Sequence, residues 1–458
     1  MCGILAVIAN KNVNSYYFLK QLEQIQHRGQ DSCGIAFVNK EEPKLIGAQK
    51  INGMVNKLQE HDKFVNSNIF IGHTRYTTSG HRSKKRNMFQ SSQYGIHPII
   101  SIFRQDTYTF VFNGNIPFIS DQFNYDTDYI KHFIESRKHL SFKEVLLQFV
   151  KSVPRAFNII FIYQGVVYAI RDRYGTRPFK FLKSRDDSSI YLCSEDYFLD
   201  DSCWINVDVP EGSLTIIDTD LDIVTESILE TKPFKETAHC VFEHIYFMKE
   251  KSMSDGFLVK DSRVKMGHLL ACNKEDQILH GDNNYIVSSV PDTATTSAVV
   301  YAKTLELNYS QFIKKNSRIN RTFIITDSGE RSNYSKEKYI IDGDQVKDKD
   351  IILVDDSIVR GTTLKTLVSL LKEYKPKSVH IRVTSPPITN TCNLGIDIPT
   401  KEELIYNSFN NTDKLRDYLG VDSLKYLEIS DLKSIFQNKG MCMGCIDGDY
   451  NKNKNLEW

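Results

Sequence analysis

The stretch Asp350-Ile351-Ile352-Leu353-Val354-Asp355-Asp356-Ser357-Ile358-Val359-Arg360-Gly361-Thr362-Thr363 decides how this chain is read. Four consecutive apolar β-formers, Ile351 to Val354, predict a strand buried on both faces. Two carboxylates follow at once, then a turn of small residues closed by Gly361-Thr362-Thr363. Leu364, Leu367, Val368 and Leu371 recur at helical spacing, and Pro376 marks a stop. Strand, acidic pair, glycine-containing turn and helix predict a ligand site at the carboxyl end of a sheet strand. Such a turn offers backbone N–H groups, hydroxyls and a helix N-terminus to a phosphate. Asp355 and Asp356 suit ribose hydroxyls or a divalent metal. Both groups on one strand end suit a sugar phosphate.

At 458 residues the chain exceeds one typical core, since a domain takes roughly 100–200 residues. Hydrophobic residues at 41% and charged residues at 25% are ordinary for a globular protein. A net charge of +1 gives no argument for nucleic acid or an acidic membrane as partner. No apolar run is long enough for a transmembrane helix. The N-terminus lacks the pattern of a secretory signal. Nine cysteines, an odd number in a long chain, argue for reduced thiols, catalysis or metal rather than a disulfide framework. The expected compartment is cytoplasmic.

Cys2 stands directly ahead of the apolar run Ile4 to Ile8. If Met1 is removed, Cys2 carries a thiol and a free α-amine. An α-amine titrates near ~8 and a thiol near ~8.5, so the amine can serve the thiol as base. The alternative is a small buried apolar residue. Three polar stretches follow: Gln26-His27-Arg28-Gly29-Gln30-Asp31, Gly72-His73-Thr74-Arg75-Tyr76 and Phe112-Asn113-Gly114-Asn115. Alone, the Asn-Gly pair is a hairpin signal.

Taken with Cys2, these stretches resemble the N-terminal-nucleophile glutamine amidotransferase domain. The run Val354 to Thr363 resembles the phosphoribosyl-pyrophosphate (PRPP) loop of type I phosphoribosyltransferases, and in particular the amidophosphoribosyltransferase family. The resemblance implies a four-layer αββα glutaminase domain over residues 2–235. A phosphoribosyltransferase domain with a parallel sheet and a cluster-binding tail would fill 236–458. It implies that ammonia passes from glutamine to PRPP, giving 5-phosphoribosylamine, glutamate and pyrophosphate, the first step of purine synthesis. Cys2 would be the nucleophile, with Asn113 and Gly114 stabilising the oxyanion. Arg75 would hold the glutamine carboxylate and Asp126 its ammonium; a helix N-cap is the other reading of Asp126. Arg28 and Asp31 either shape the pocket or pair with each other. Arg171-Asp172 and Arg177-Pro178 match a family stretch read as structural, near the domain interface.

For PRPP, the resemblance implies Asp355, Asp356 and Thr293 toward magnesium, and Ser357, Ile358, Val359, Gly361, Thr362 and Thr363 toward the 5′-phosphate. Arg360 either reaches a phosphate or is a solvated surface arginine. Arg331 and Lys338 fall in a segment that the resemblance makes a covering loop, although Ser328, Tyr334 and Lys336 depart from the family pattern. The basic region His81 to Asn87 departs from it too. The altered loop supports one alternative, a PRPP-binding regulator without full turnover.

Cys442-Met443-Gly444-Cys445 alone is a redox pair, half a zinc site or chance. Cys240 and Cys392 stand in contexts that match the family. Four thiolates suit zinc or an iron–sulfur cluster, and spacing does not choose. The resemblance implies a structural [4Fe–4S] cluster. Cys193 and Cys203 are expected to be core thiols; Cys33 and Cys272 receive no role. Purine-nucleotide feedback and a homo-oligomer, a tetramer, are further implications of the resemblance.

Overall fold

Ile4, Ala6 and Ile8 face one side of the first strand and Leu5 and Val7 the other, and both sets are fully buried. A strand with two dry faces needs a layer on each side. The computed structural model, which describes residues 2–61, 63–76, 95–116, 123, 125–153, 155–199, 203–228, 237–316, 339–398, 400–437 and 439–450, supplies both. Arg331, Lys338, Ser328, Tyr334, Lys336, the region His81 to Asn87 and the junction at 235/236 lie outside the described residues.

The first half contains two antiparallel sheets. Its strands are β1 (Gly3–Asn14), β2 (Ser32–Val38), β3 (Gly47–Asn52), β4 (Asn66–Arg75), β5 (Ile99–Phe103), β6 (Asp106–Asn115), β7 (Ala156–Tyr163), β8 (Val166–Arg171), β9 (Lys180–Ser184), β10 (Ser189–Cys193), β11 (Trp204–Asp208), β12 (Ser213–Ile217) and β13 (Ile223–Ser227). One sheet runs β11-β9-β10-β1-β4-β2-β3 and the other β13-β12-β8-β7-β6-β5. Ile4, Ile8, Ile69 and Ile71 of the first meet Val111, Ile160 and Ile162 of the second in a shared core. Helices α1 (Ser15–Gln24) and α2 (Val55–His61) cover the outer face of the first sheet through Phe18, Leu22 and Leu58. Helices α3 (Asp126–Glu135) and α4 (Phe142–Ser152) cover the second through Ile130, Phe133 and Phe149. This is the expected αββα stack.

The second half is built on a parallel sheet. Strand β14 (His239–Cys240) opens it, followed by β15 (Tyr285–Ser289), β16 (Asn308–Tyr309), β17 (Asp350–Asp355), β18 (Ser378–Val383) and β19 (Ser423–Tyr426). The order is β16-β15-β17-β18-β19, every pair parallel. The run Ile351 to Val354 forms β17 at its centre. Ile352 and Val354 pack with α5 (Val259–Ala271) and α6 (Thr295–Thr304) on one face. Ile351 and Leu353 pack with α7 (Thr362–Glu373) on the other. The buried strand read from four apolar residues is therefore present, with its carboxyl end at Asp355.

Charged side chains join the halves. Arg28, fully buried, donates to Glu195 at 2.6 Å and to Glu243 of the second half at 2.9 and 3.2 Å. This resolves its open reading: it reaches across the interface. Glu195 also accepts from Lys249 N–H and Ser252 Oγ, each at 2.9 Å. Although burial opposes its ionisation, Arg28 and His27 hold its carboxyl down at about 2. Arg171 meets Asp255 at 3.0 Å, so the Arg171 stretch does lie at the interface. Cys193 is a core thiol, but Cys203 is exposed, contrary to expectation. It sits just ahead of β11, an edge strand with one face open to solvent. No helix among the described residues is long and apolar enough to cross a membrane.

Glu195→Gln should lower the unfolding free energy at pH 7 by about 3–5 kcal/mol, the usual cost of breaking a buried ion pair. A depressed carboxylate stabilises above its unfolded value near ~4.3 and loses that contribution as pH falls. Urea midpoints of variant and wild type should therefore converge toward pH 2; a constant gap would contradict this account.

Candidate active sites

Four elements bring the first site together. Cys2 immediately precedes β1, Arg75 ends β4, Asn113 and Gly114 end β6, and Asp126 opens α3. Strands β1 and β4 are paired, with Gly3 opposite Thr74, which sets Cys2 beside Arg75. Cys2, Arg75, Tyr76, Gly95, His97, Phe112, Gly114, Tyr125, Asp126 and Thr127 line one cleft. Its free space is about 380 Å³, counting the part open to solvent.

The polar groups in this cleft are arranged for acyl transfer. The Cys2 N–H donates to Asn113 Oδ1 at 3.4 Å. That contact fixes the amide and leaves Asn113 Nδ2 buried without a partner among the described residues. A buried amide donor without an acceptor costs about 1–3 kcal/mol, and an oxyanion would relieve it. Gly114 must be glycine here, because a Cβ would lie 2.3 Å from the Ala156 carbonyl. Asp126 Oδ2 accepts from Ile116 N–H at 3.2 Å. The N-cap of α3 is Tyr125, so the capping reading of Asp126 does not hold. Burial lifts the Asp126 carboxyl to about 6, against the opposing pull of the Ile116 N–H and Arg75.

Sequence reasoning missed two parts of this pocket. His97 lines it, buried and stacked on His73 at 4.1 Å between ring centroids. His73 Nε2 is 3.0 Å from the Phe112 carbonyl, and burial lowers its ring to about 3, so it is neutral at pH 7. His73 lies on β4 and His97 in the bend ahead of β5, which belongs to the other sheet, so no local signal marked the pairing. The other is Tyr76, whose hydroxyl donates to Asp397 Oδ2 of the second half at 3.0 Å. Burial, then Asp397, raise the Tyr76 phenol to about 12, and nearby Arg360 opposes them. The first cleft therefore borders the turn that follows β17.

That turn is the second site. Asp356 N–H donates to Asp355 Oδ1 at 2.9 Å, and Ser357 Oγ to Asp356 Oδ1 at 2.6 Å. Burial lifts Asp355 well above the carboxylate range, reinforced by the like charge of Asp356. Burial lifts Asp356 to about 6, while Arg263 and Lys315 oppose. Two buried carboxyls side by side are the donor set a divalent cation relieves. The Val290 N–H donates to the Val354 carbonyl at 2.8 Å, bringing the turn with Thr293 beside this pair. Gly361 takes φ of +70°, and a Cβ there would meet Ile405 Cδ1 at 2.4 Å. It is the N-cap of α7 and provides no side-chain cap, leaving the first-turn amides for an anion. Thr362 and Thr363 are exposed at this helix start, Ser357 and Val359 are half-buried, and Ile358 is a core residue. Arg360 is half-exposed and paired with Glu403 at 3.0 Å.

Four thiols gather at a third place. Strand β14 pairs in parallel with β20 (Met441–Cys442), setting Cys240 opposite Cys442. The Cys445 carbonyl accepts from Thr389 and Asn390 N–H at 3.0 Å each, tying that segment to the Cys392 loop. Burial raises Cys240, Cys442 and Cys445, and each is raised further by neighbouring thiols of the set. The donor chemistry fits a thiolate-bound metal centre.

Above pH 6 an ionised Asp356 destabilises the ligand-free fold, because its unfolded value is near ~3.9. Asp356→Asn should therefore stabilise the ligand-free protein at pH 7 by about 1–3 kcal/mol, and the gain should vanish below about pH 4. Thermal unfolding between pH 4 and 8 checks this; a pH-independent difference would count against it.

Residues 268–393 match the phosphoribosyl transferase domain family. The amidophosphoribosyltransferase of Pyrococcus horikoshii is 31% identical, covering 98% of this chain and 96% of its own. The human amidophosphoribosyltransferase is 30% identical, covering 100% and 98%. The structure of glutamine PRPP amidotransferase from B. subtilis, complexed with ADP and GMP, superposes with a TM-score of 0.83 at 25% identity, over 98% of this chain and 97% of that one. With both halves matched from end to end, this chain belongs to the amidophosphoribosyltransferase family.

Proposed function

We infer that this chain transfers ammonia from glutamine to PRPP, giving 5-phosphoribosylamine, glutamate and pyrophosphate, the opening step of purine synthesis. The observation that carries it is a nucleophile cleft and an acidic strand end in one chain, bordering each other through Tyr76 and Asp397. The family match over the full chain supports turnover rather than a PRPP-binding regulator.

With Met1 removed, the α-amine of Cys2 takes the thiol proton and the thiolate attacks the side-chain carbonyl carbon of glutamine. Asn113 Nδ2 and the Gly114 N–H stabilise the oxyanion. Its collapse expels ammonia, which carries off the proton, and water then cleaves the thioester to glutamate. Arg75 and Asp126 grip the two ends of glutamine. Ammonia attacks the anomeric carbon of PRPP as pyrophosphate departs. Asp355 and Asp356 hold the ribose as positive charge develops, and the Ser357 to Thr363 turn holds its 5′-phosphate. Asp355, Asp356 and Thr293 would hold magnesium, which would supply positive charge toward the leaving pyrophosphate. Arg331 and Lys338 are assigned to PRPP by resemblance. An internal ammonia path between the two sites is proposed by resemblance.

Cys240, Cys392, Cys442 and Cys445 are assigned a structural [4Fe–4S] cluster. Four thiolates drawn together from separate segments are a donor set that such a cluster takes. Free cysteines support a reducing, cytoplasmic setting. Exposed Ile205 and Val207 on edge strand β11 support self-association. Purine nucleotides are proposed as feedback ligands, as ADP and GMP are bound in the B. subtilis structure.

Cys2→Ser should abolish PRPP-dependent glutamine hydrolysis while retaining phosphoribosylamine formation from added ammonia. Loss of both, in folded protein, or of neither would sink the assignment. Asp126 must be ionised to pair with the substrate ammonium. The KM for glutamine should accordingly rise about tenfold per pH unit below pH 6, and Asp126→Asn should flatten that profile.

A further inference from the structure

Arg177 is fully buried, yet its Nε and Nη1 have no hydrogen-bond partner among the described residues. Only Nη2 is committed, donating to the Leu394 carbonyl. The nearest carboxylate, Glu243, lies 3.6 Å from Nη1 and is already held by both Nη groups of Arg28. Leaving two guanidinium donors dry costs on the order of 1–3 kcal/mol each. A fold keeps such a group when something else accepts from it.

The surroundings identify the acceptor. Arg177 follows Thr176, whose carbonyl accepts the Cys240 N–H at 3.1 Å. On the other side, Leu394 donates its N–H to Cys392 Sγ at 3.3 Å. Arg177 is thus pinned by its backbone beside one thiol and by its side chain on the turn holding another. Gly395 makes room: a Cβ there would lie 2.9 Å from Arg177 Nη2. The thiols of Cys240 and Cys392, ahead of Glu243, are the neighbours that favour the charged guanidinium against its burial.

We propose that Arg177 donates hydrogen bonds and positive charge to the sulfur atoms of the four-cysteine centre. This rests on the metal-centre assignment. Four thiolates give that centre a net negative charge whichever metal it holds. A buried guanidinium beside it lowers the energy of the thiolate form and slows metal loss. Hydrogen bonds to sulfur also favour the more reduced, more negative state of an iron–sulfur cluster.

The test uses full-length protein purified without oxygen, with iron, zinc and acid-labile sulfide measured first. R177M should release metal to a chelator roughly tenfold faster or more than wild type, the usual scale for an outer-shell partner. If the metal is an iron–sulfur cluster, its midpoint potential should move negative in R177M. R177K, which keeps the charge but not the fork, should fall between. Folded R177M with wild-type release and unchanged potential would overturn the proposal. If R177M is insoluble, R177Q and Gly395→Ala are read the same way, with the same outcomes. Zinc in the wild type would overturn the iron–sulfur reading alone, and release rates would then decide Arg177. Wild type without metal would overturn both.

Discussion

The guanidinium of Arg28 donates to the Cys2 carbonyl at 3.1 Å, to Glu195 and to Glu243, all out of water. Those three acceptors come from the nucleophile itself, the end of the first half and the start of the second. A buried charge tolerates little displacement, because every lost partner leaves it uncompensated in a low dielectric. The backbone of the nucleophile is therefore fixed by the same contact that seats one half on the other. Arg171 with Asp255, and Tyr76 with Asp397, add polar ties across the same face. On the proposed function, ammonia released on one half is used on the other, so the seating of the halves bears on the reaction.

The sites themselves are electrostatically unfavourable without ligands. Asp126, Asp355 and Asp356 all have carboxyls lifted by burial. Asn113 keeps a dry amide donor, and Arg177 two dry guanidinium donors. On the proposed function, each has the polarity of its partner: ammonium for Asp126, a cation and ribose hydroxyls for the pair, an oxyanion for Asn113 and sulfur for Arg177. Stability given up in the empty fold becomes binding in the filled one. The cores supply what the sites lose, through strands dry on both faces in each half.

The paired acids Asp355-Asp356 and the turn to Thr363 were legible because strand, charge, glycine and helix follow one another in sequence. The αββα stack was less so: its strands alternate between two cores, and composition alone does not say which faces meet. Local reading went wrong where context mattered. Cys203 looked apolar and is exposed just ahead of an edge strand. Asp126, for which a helix cap was the other reading, is the first residue of α3 and accepts from the Ile116 N–H.

The sequence by itself determined the chemistry available: a thiol at position 2, an Asn-Gly turn, a pair of acids ending an apolar strand and four well-placed cysteines. These are local facts, set by residue type and by short-range order along the chain. Only the tertiary structure decided which of them act together. Arg28 was a residue of undecided use until folding carried Glu243 to it from 215 positions away. His97 stacks on His73, and Arg177 reaches the Cys392 turn, through strand pairings and loop returns that no periodicity records. The physical reason is that burial and charge pairing depend on neighbours in space, and those neighbours exist only after the sheets have closed.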